Sequence, residues 1–319
     1  MKFIARNKAR LKWMITPKAE RDALMEKALQ QGTFVDDMAP LLKMAQEDGV
    51  VIRPSAALIG TGTSAGLLPK NDGTFEILIN PERLQEPGAD FSMLHELYHY
   101  AQYKRVGLTG ADKEMRLPNL RKKMLWTRVI EADAYASCQM ALERMEYTAK
   151  TIAAVRAKGC EMAGKKEGEE LSTEEFMAAA TAFNAESREE PDLYSPQRKE
   201  ELFRKYLKKL GSYDMECVNN HLQWQLTRPP TDKASQELAM SVSDIRKVLQ
   251  ADLQGTPYFE SMSDKDFEAM VMQDVHPDLR AAVDLSEEFD AATGPQEKTA
   301  AMFHAKRHAL RARMDVKPN

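Results

Sequence analysis

The sequence predicts an α+β protein: a small antiparallel sheet packed on one helix, followed by a mostly α-helical C-terminal region. Three observations carry the prediction. Residues 50–80 contain short apolar runs parted by turn residues, the texture of strands. Residues 91–101 place Leu94, Leu97, Tyr98 and Ala101 at i, i+3, i+4 and i+7, the stripe of a helix with one face in a core. Beyond Tyr147, the segments between Gly and Pro breaks repeat their apolar residues with helical period. The chain has 319 residues, of which 43% are hydrophobic and 29% charged, enough for one large domain or two smaller ones.

In chain order, residues 1–12 carry Lys2, Arg6, Lys8, Arg10 and Lys12 with no apolar stretch after them. That reads as a basic amphipathic surface helix and not as a Sec signal peptide. Residues 19–31 and 36–47 read as helices. Val50-Val51-Ile52-Arg53-Pro54 reads as a short strand, and Ala57-Leu58-Ile59 and Gly66-Leu67-Leu68 flank a stretch of small residues. That stretch, from Gly60 to Gly66, is glycine-rich, but no Gly-Lys-Ser/Thr follows and no helix begins there, so it is not a phosphate loop. Asn71-Asp72-Gly73 marks a turn. Residues 74–80 alternate enough for a strand, which Pro81 stops. Pro87-Gly88 break the chain before the next helix, whose start Asp90 or Ser92 can cap. Pro118 suits the first turn of a helix, and residues 117–145 hold no breaker. Residues 158–172 form a charged, glycine-containing break. Helical patterns then recur near 173–186, 197–210, 214–226, 234–252, 263–273, 277–290 and 295–313. The expected organisation is a basic helical segment over 1–35, a core over 36–150 and a helical C-terminal region over 151–319.

The chemistry centres on Phe91-Ser92-Met93-Leu94-His95-Glu96-Leu97-Tyr98-His99-Tyr100-Ala101. It holds two of the six histidines of the chain in the pattern H-E-x-x-H. On a helix, positions i and i+4 share a face, so both imidazoles can reach one Zn²⁺. Glu96 projects near the same point, where a carboxylate can act as a general base. A catalytic zinc usually takes three protein ligands. Around Glu131 the expected helix is apolar on nearly every side, with Trp126, Val129, Ile130, Ala134, Ala136, Cys138 and Met140. Such a helix is buried, and a buried carboxylate is costly unless paired or metal-bound. Glu131 and Asp133 point to different faces, so a single metal takes only one of them. Ala132, Ala134 and Ala136 would let a second helix approach closely. Cys138 shares a face with Glu131 and reads as a small core residue. His304 and His308 are also four apart, but Lys306, Arg307, Arg311 and Arg313 surround them, and this reads as a solvated basic face.

H-E-x-x-H at 95–99, followed on a later helix by E-x-x-A at 131–134, resembles the gluzincin class of zinc metallopeptidases. The stretches H-E-L-x-H-x-x-Q and R-V-I-E-A-D-A-x-A resemble more closely a bacterial family of uncharacterised metallopeptidases, over roughly residues 36–148. The resemblance implies a zincin-like fold for the 36–150 core and one Zn²⁺ per chain. It implies His95, His99 and Glu131 as ligands and Glu96 as the base. It also implies that an edge strand of the sheet lines the cleft and can pair with an extended peptide; residues 75–80 are the candidate. One departure is that many thermolysin-like members carry an acidic residue four after the ligand Glu, where this chain has Tyr135.

The expected function is therefore zinc-dependent hydrolysis of a protein or peptide substrate. Tyr98, Tyr103, Tyr135 and His221 are candidate donors to the developing oxyanion. Two other readings stand beside it. One is a zincin-fold helical interaction or regulatory protein with little or no turnover, motivated by the long helical region and opposed by an intact Glu96. The other is a toxin or effector protease exported by a non-Sec route. The net charge of −4 gives no global reason to expect nucleic acid. No run approaches the ~18 apolar residues of a membrane span. Cys138, Cys160 and Cys217 are odd in number and show no C-x-x-C, which suits a reducing cytoplasm.

Overall fold

The computed structural model describes residues 16–21, 23, 26, 38–70, 72–84, 89–109, 116–166, 168–186, 195–225, 239–291 and 295–315. The basic segment 1–12, most of the expected helix 19–31 and residues 226–238 lie outside them. Helix α1 (Met38–Glu47) buries Met38, Leu41, Leu42 and Ala45, a single stripe. Strands β1 (Val51–Pro54), β2 (Ala65–Pro69) and β3 (Phe75–Ile79) form one sheet in the order β1-β3-β2.

That order corrects two expectations. The sheet is mixed: β2 pairs antiparallel with β3, but β1 runs parallel to it. The hairpin through Asp72-Gly73 returns β3 beside β2, and β1 then joins the other side of β3. Consequently Phe75–Ile79 is the central strand and not an edge. Its near-continuous burial, with Phe75, Glu76, Ile77 and Ile79 all covered, is what a strand flanked on both sides and packed on both faces requires. The edge strand facing the helices is β2. Asn80 ties down the loop that leads into it, its amide donating to the carbonyls of Leu58 (3.0 Å) and Thr63 (2.8 Å).

Helix α2 (Ala89–Arg105) begins before both Asp90 and Ser92, so neither caps it. Helix α3 (Leu120–Met162) is capped by Asn119, whose side chain accepts from the Lys122 N–H at 2.9 Å; Pro118 precedes the cap instead of opening the first turn. With 43 residues it is about 65 Å long. It runs through the stretch expected to break at 158. Gly159 is a packing residue there: a Cβ on it would lie 2.5 Å from Leu171 Cδ1 and 3.2 Å from Ala179 Cβ of helix α4 (Thr173–Glu186). The chain turns only at Gly164, with φ 65°.

Helices α5 (Pro196–Leu207), α6 (Gly211–Gln225), α7 (Val242–Arg246), α8 (Asp264–Met272), α9 (Pro277–Ala291) and α10 (Pro295–Asp315) complete the described chain. The helix expected over 234–252 is only the short α7. A Ser241–Asp244 capping box starts it, and Asp252 folds the next segment into a turn on Gly255 and Thr256. Two hydrophobic clusters meet along α3. One joins the sheet, α2 and the middle of α3 to Phe203, Tyr258 and Phe267; the other joins Leu120 and Met124 to α6, α9 and α10. No helix among the described residues is long and apolar enough to cross a membrane.

Candidate metal centre

Leu94, Leu97, Tyr98 and Ala101 are buried in the core, and this fixes the rotation of α2. The same rotation aims His95, Glu96 and His99 into a cleft of about 1100 Å³. Helix α3 presents Glu131 from the opposite wall. Ala132, Ala134 and Ala136 beside it are all fully buried. The Nε2 atoms of His95 and His99 are 2.9 Å apart. Glu131 Oε2 lies 3.3 Å from His95 Nε2, and its Oε1 lies 3.4 Å from His99 Nε2. All three ligand-type atoms fall within 4.8 Å of one another, the one such cluster of His, Cys, Asp and Glu among the described residues.

The donor set fits a divalent cation. Glu131 Oε2 is buried with no hydrogen-bond partner, although it is near His95. Electrostatics point the same way. Burial opposes a proton on His99, but the carboxylates of Glu131 and Glu96 outweigh it and raise the ring to about 10. Burial likewise favours neutral Glu131, but the two imidazoles outweigh it and hold its carboxyl well below the usual range. A cation between ring and carboxylate is what this arrangement favours, and in the metal-free protein a proton takes that place.

The supports of the two histidines differ. His99 Nδ1 is 2.9 Å from Gln102 Oε1. The Gln102 amide nitrogen donates to Ile130 O (3.1 Å) and Asp133 Oδ2 (2.6 Å). Its oxygen therefore faces His99, which must be the donor at Nδ1 and turns its Nε2 to the cleft. Asp133 is held in turn by Tyr258 OH (2.7 Å) and Lys199 Nζ (3.2 Å). Asp133 thus supports a candidate ligand and is not one itself. His95 Nδ1 is buried without a hydrogen-bond partner. Its ring leans on the Tyr135 ring with centroids 4.5 Å apart, while the Tyr135 hydroxyl bonds to Tyr213 OH at 2.7 Å. Tyr135 thus supports the ring by contact and not through its hydroxyl.

Glu96 Oε2 accepts the Leu67 N–H at 2.7 Å, which pins the carboxylate to β2. Of the candidate oxyanion donors, Tyr103, Tyr135 and His221 line the cleft. Tyr98 does not; it faces a separate cavity. Tyr213 does line it, and nothing in the local sequence singles that residue out. His308 Nδ1 lies 2.5 Å from Asp278 Oδ1, so it belongs to a hydrogen-bonded pair and not to the metal cluster. Comparison of this chain with family models, with curated proteins and with solved structures finds no match.

Proposed function

We propose that this protein is a zinc-dependent metallopeptidase, with His95, His99 and Glu131 as ligands and Glu96 as general base. One observation carries the reading. Two imidazoles and a buried carboxylate with an unsatisfied oxygen converge in an open cleft, with Glu96 beside them. Bound there, zinc would supply a Lewis acid that brings a proton of water within reach of a carboxylate at neutral pH. Glu96 receives that proton and returns it to the leaving amine; the Leu67 N–H keeps it in place for both transfers. Tyr135 and Tyr213 share one hydrogen bond between their hydroxyls. One of their two phenolic protons is thus left to donate to a carbonyl oxygen in the cleft. The β2–β3 register alternates, so Ala65 turns its N–H and C=O, and Leu67 its C=O, away from β3, the Leu67 N–H being held by Glu96, and an extended peptide can add along that edge through those groups.

Elemental analysis should find about one zinc per chain and none in the His95→Ala, His99→Ala double variant. Full retention of zinc by that variant removes the site. Glu96→Gln should keep zinc and fold but lose nearly all hydrolysis, since an amide cannot take the proton. A proteome-wide comparison of new N-termini, wild type against Glu96→Gln, requires no prior substrate. Identical cleavage by the two excludes Glu96 as base. Normal zinc with no cleavage by either favours a zincin-fold interaction protein.

A further inference from the structure

Phe303 and Leu310, 66% and 63% exposed, are the two most exposed large apolar side chains among the described residues. Both stand on α10. With about 3.6 residues per turn and 1.5 Å per residue, they fall within about 20° of one another on the helix surface and about 10 Å apart along it. The rotation of α10 is fixed by its other face, where Met302, Ala305, Ala309 and Ala312 are buried in the cluster shared with α6 and α9. Cations flank the apolar line on both sides. Lys306 and Arg313 lie along one flank, Arg307 and Arg311 along the other, and all four are exposed. No acidic residue lies between Lys298 and Arg313 in the sequence. Asp278 of α9, which feels the charge of Arg311, is hydrogen-bonded to His308 (2.5 Å). The chain as a whole carries −4, so this face is a positive strip on an acidic molecule.

We propose that this face of α10 docks on an anionic lipid bilayer, with Phe303 and Leu310 entering the acyl boundary and Lys306, Arg307, Arg311 and Arg313 meeting the headgroup phosphates. Charge complementarity selects an anionic partner, and the apolar line selects lipid among anionic partners. A helix that lies in the interface buries its apolar residues a few ångströms deep, while long basic side chains on either side reach back to the headgroups. A nucleic-acid backbone would engage the four cations and give Phe303 and Leu310 no comparable partner. The negative charge of the remaining surface is repelled by such a bilayer, which turns α10 toward it. The binding is peripheral, since no described helix can cross a membrane. It does not depend on the metallopeptidase reading and can be tested without turnover.

The test is co-sedimentation of the full chain with vesicles of phosphatidylcholine alone and of phosphatidylcholine mixed with phosphatidylserine. The protein should bind the mixed vesicles roughly tenfold or more tightly than the neutral ones, and salt at about 0.5 M should release it. Two double variants separate the contributions, and all four substituted positions are exposed, so the fold is kept. Lys306→Glu with Arg307→Glu and Phe303→Ser with Leu310→Ser should each weaken binding to the mixed vesicles roughly tenfold. Lys43→Glu with Lys150→Glu makes the same change in charge on exposed positions of α1 and α3 and should leave binding unchanged. No binding to the mixed vesicles, equal binding to both kinds, or equal binding by wild type and both α10 variants overturns the proposal. Loss in the charge variant with none in the apolar variant also overturns it, because the face would then be a general polyanion site.

Discussion

Gln102 decides which way His99 faces, and its amide is itself oriented by Ile130 O and Asp133. Gln102→Leu keeps the shape and removes the acceptor, so metal affinity should fall about 10–100-fold in competition with a chelating dye. Tyr135→Phe keeps the ring against His95 and should leave that affinity nearly unchanged; an equal loss in both variants would contradict the assignment of support to Gln102. Protonation gives a further prediction for the chelated, metal-free protein. His99 is raised from its ordinary 6.5 to about 10, with burial opposing and Glu131 and Glu96 favouring the proton. A raised pKa contributes stability that is complete below about 6.5 and lost as pH climbs toward 10. Urea unfolding of the metal-free protein should show this decline. The His99→Ala variant should not.

Helix α3 is the element on which the site depends, since it carries Glu131, Asp133 and Tyr135 at different angles. Its start is set by Asn119. Asn119→Ala should cost about 1 kcal/mol in denaturant unfolding, the usual worth of an N-cap. Its far end is set by packing. Gly159 lies against Leu171 and Ala179, so Gly159→Leu should destabilise by about 1–3 kcal/mol through overpacking. On helix propensity alone the same substitution would stabilise, so the sign of the measured change separates the two effects. In the sheet, β3 lies in the middle because partners flank it on both sides. A five-residue strand reads the same whether it is central or at an edge until its neighbours are in place.

Across the molecule, Arg128 joins parts far apart in sequence. It is 1% exposed; its guanidinium donates to Asp214 and to the carbonyls of Leu207 (3.0 Å) and Val271 (2.7 Å). Removing it strands the Asp214 carboxylate inside the protein. Arg128→Ala should therefore cost about 3–5 kcal/mol, measured by urea unfolding. A loss below about 1 kcal/mol would mean that the helices after α4 do not depend on this tether.

What the sequence determined by itself is local. Two imidazoles at i and i+4 with a glutamate between them, an apolar stripe beside them, and a carboxylate in an apolar helical stretch are all read within a few turns, because helical period converts spacing into direction. Most helices after 173 were legible for the same reason. Tertiary structure decided the rest. It chose Glu131 to face the histidines and Asp133 to face Lys199 and Tyr258, residues 66 and 125 positions further along. It put β3 in the middle of the sheet, carried α3 through Gly159, and brought Tyr213 to the cleft. Each of these depends on what a residue meets across the chain, and contacts at such separations leave no periodic trace in the sequence.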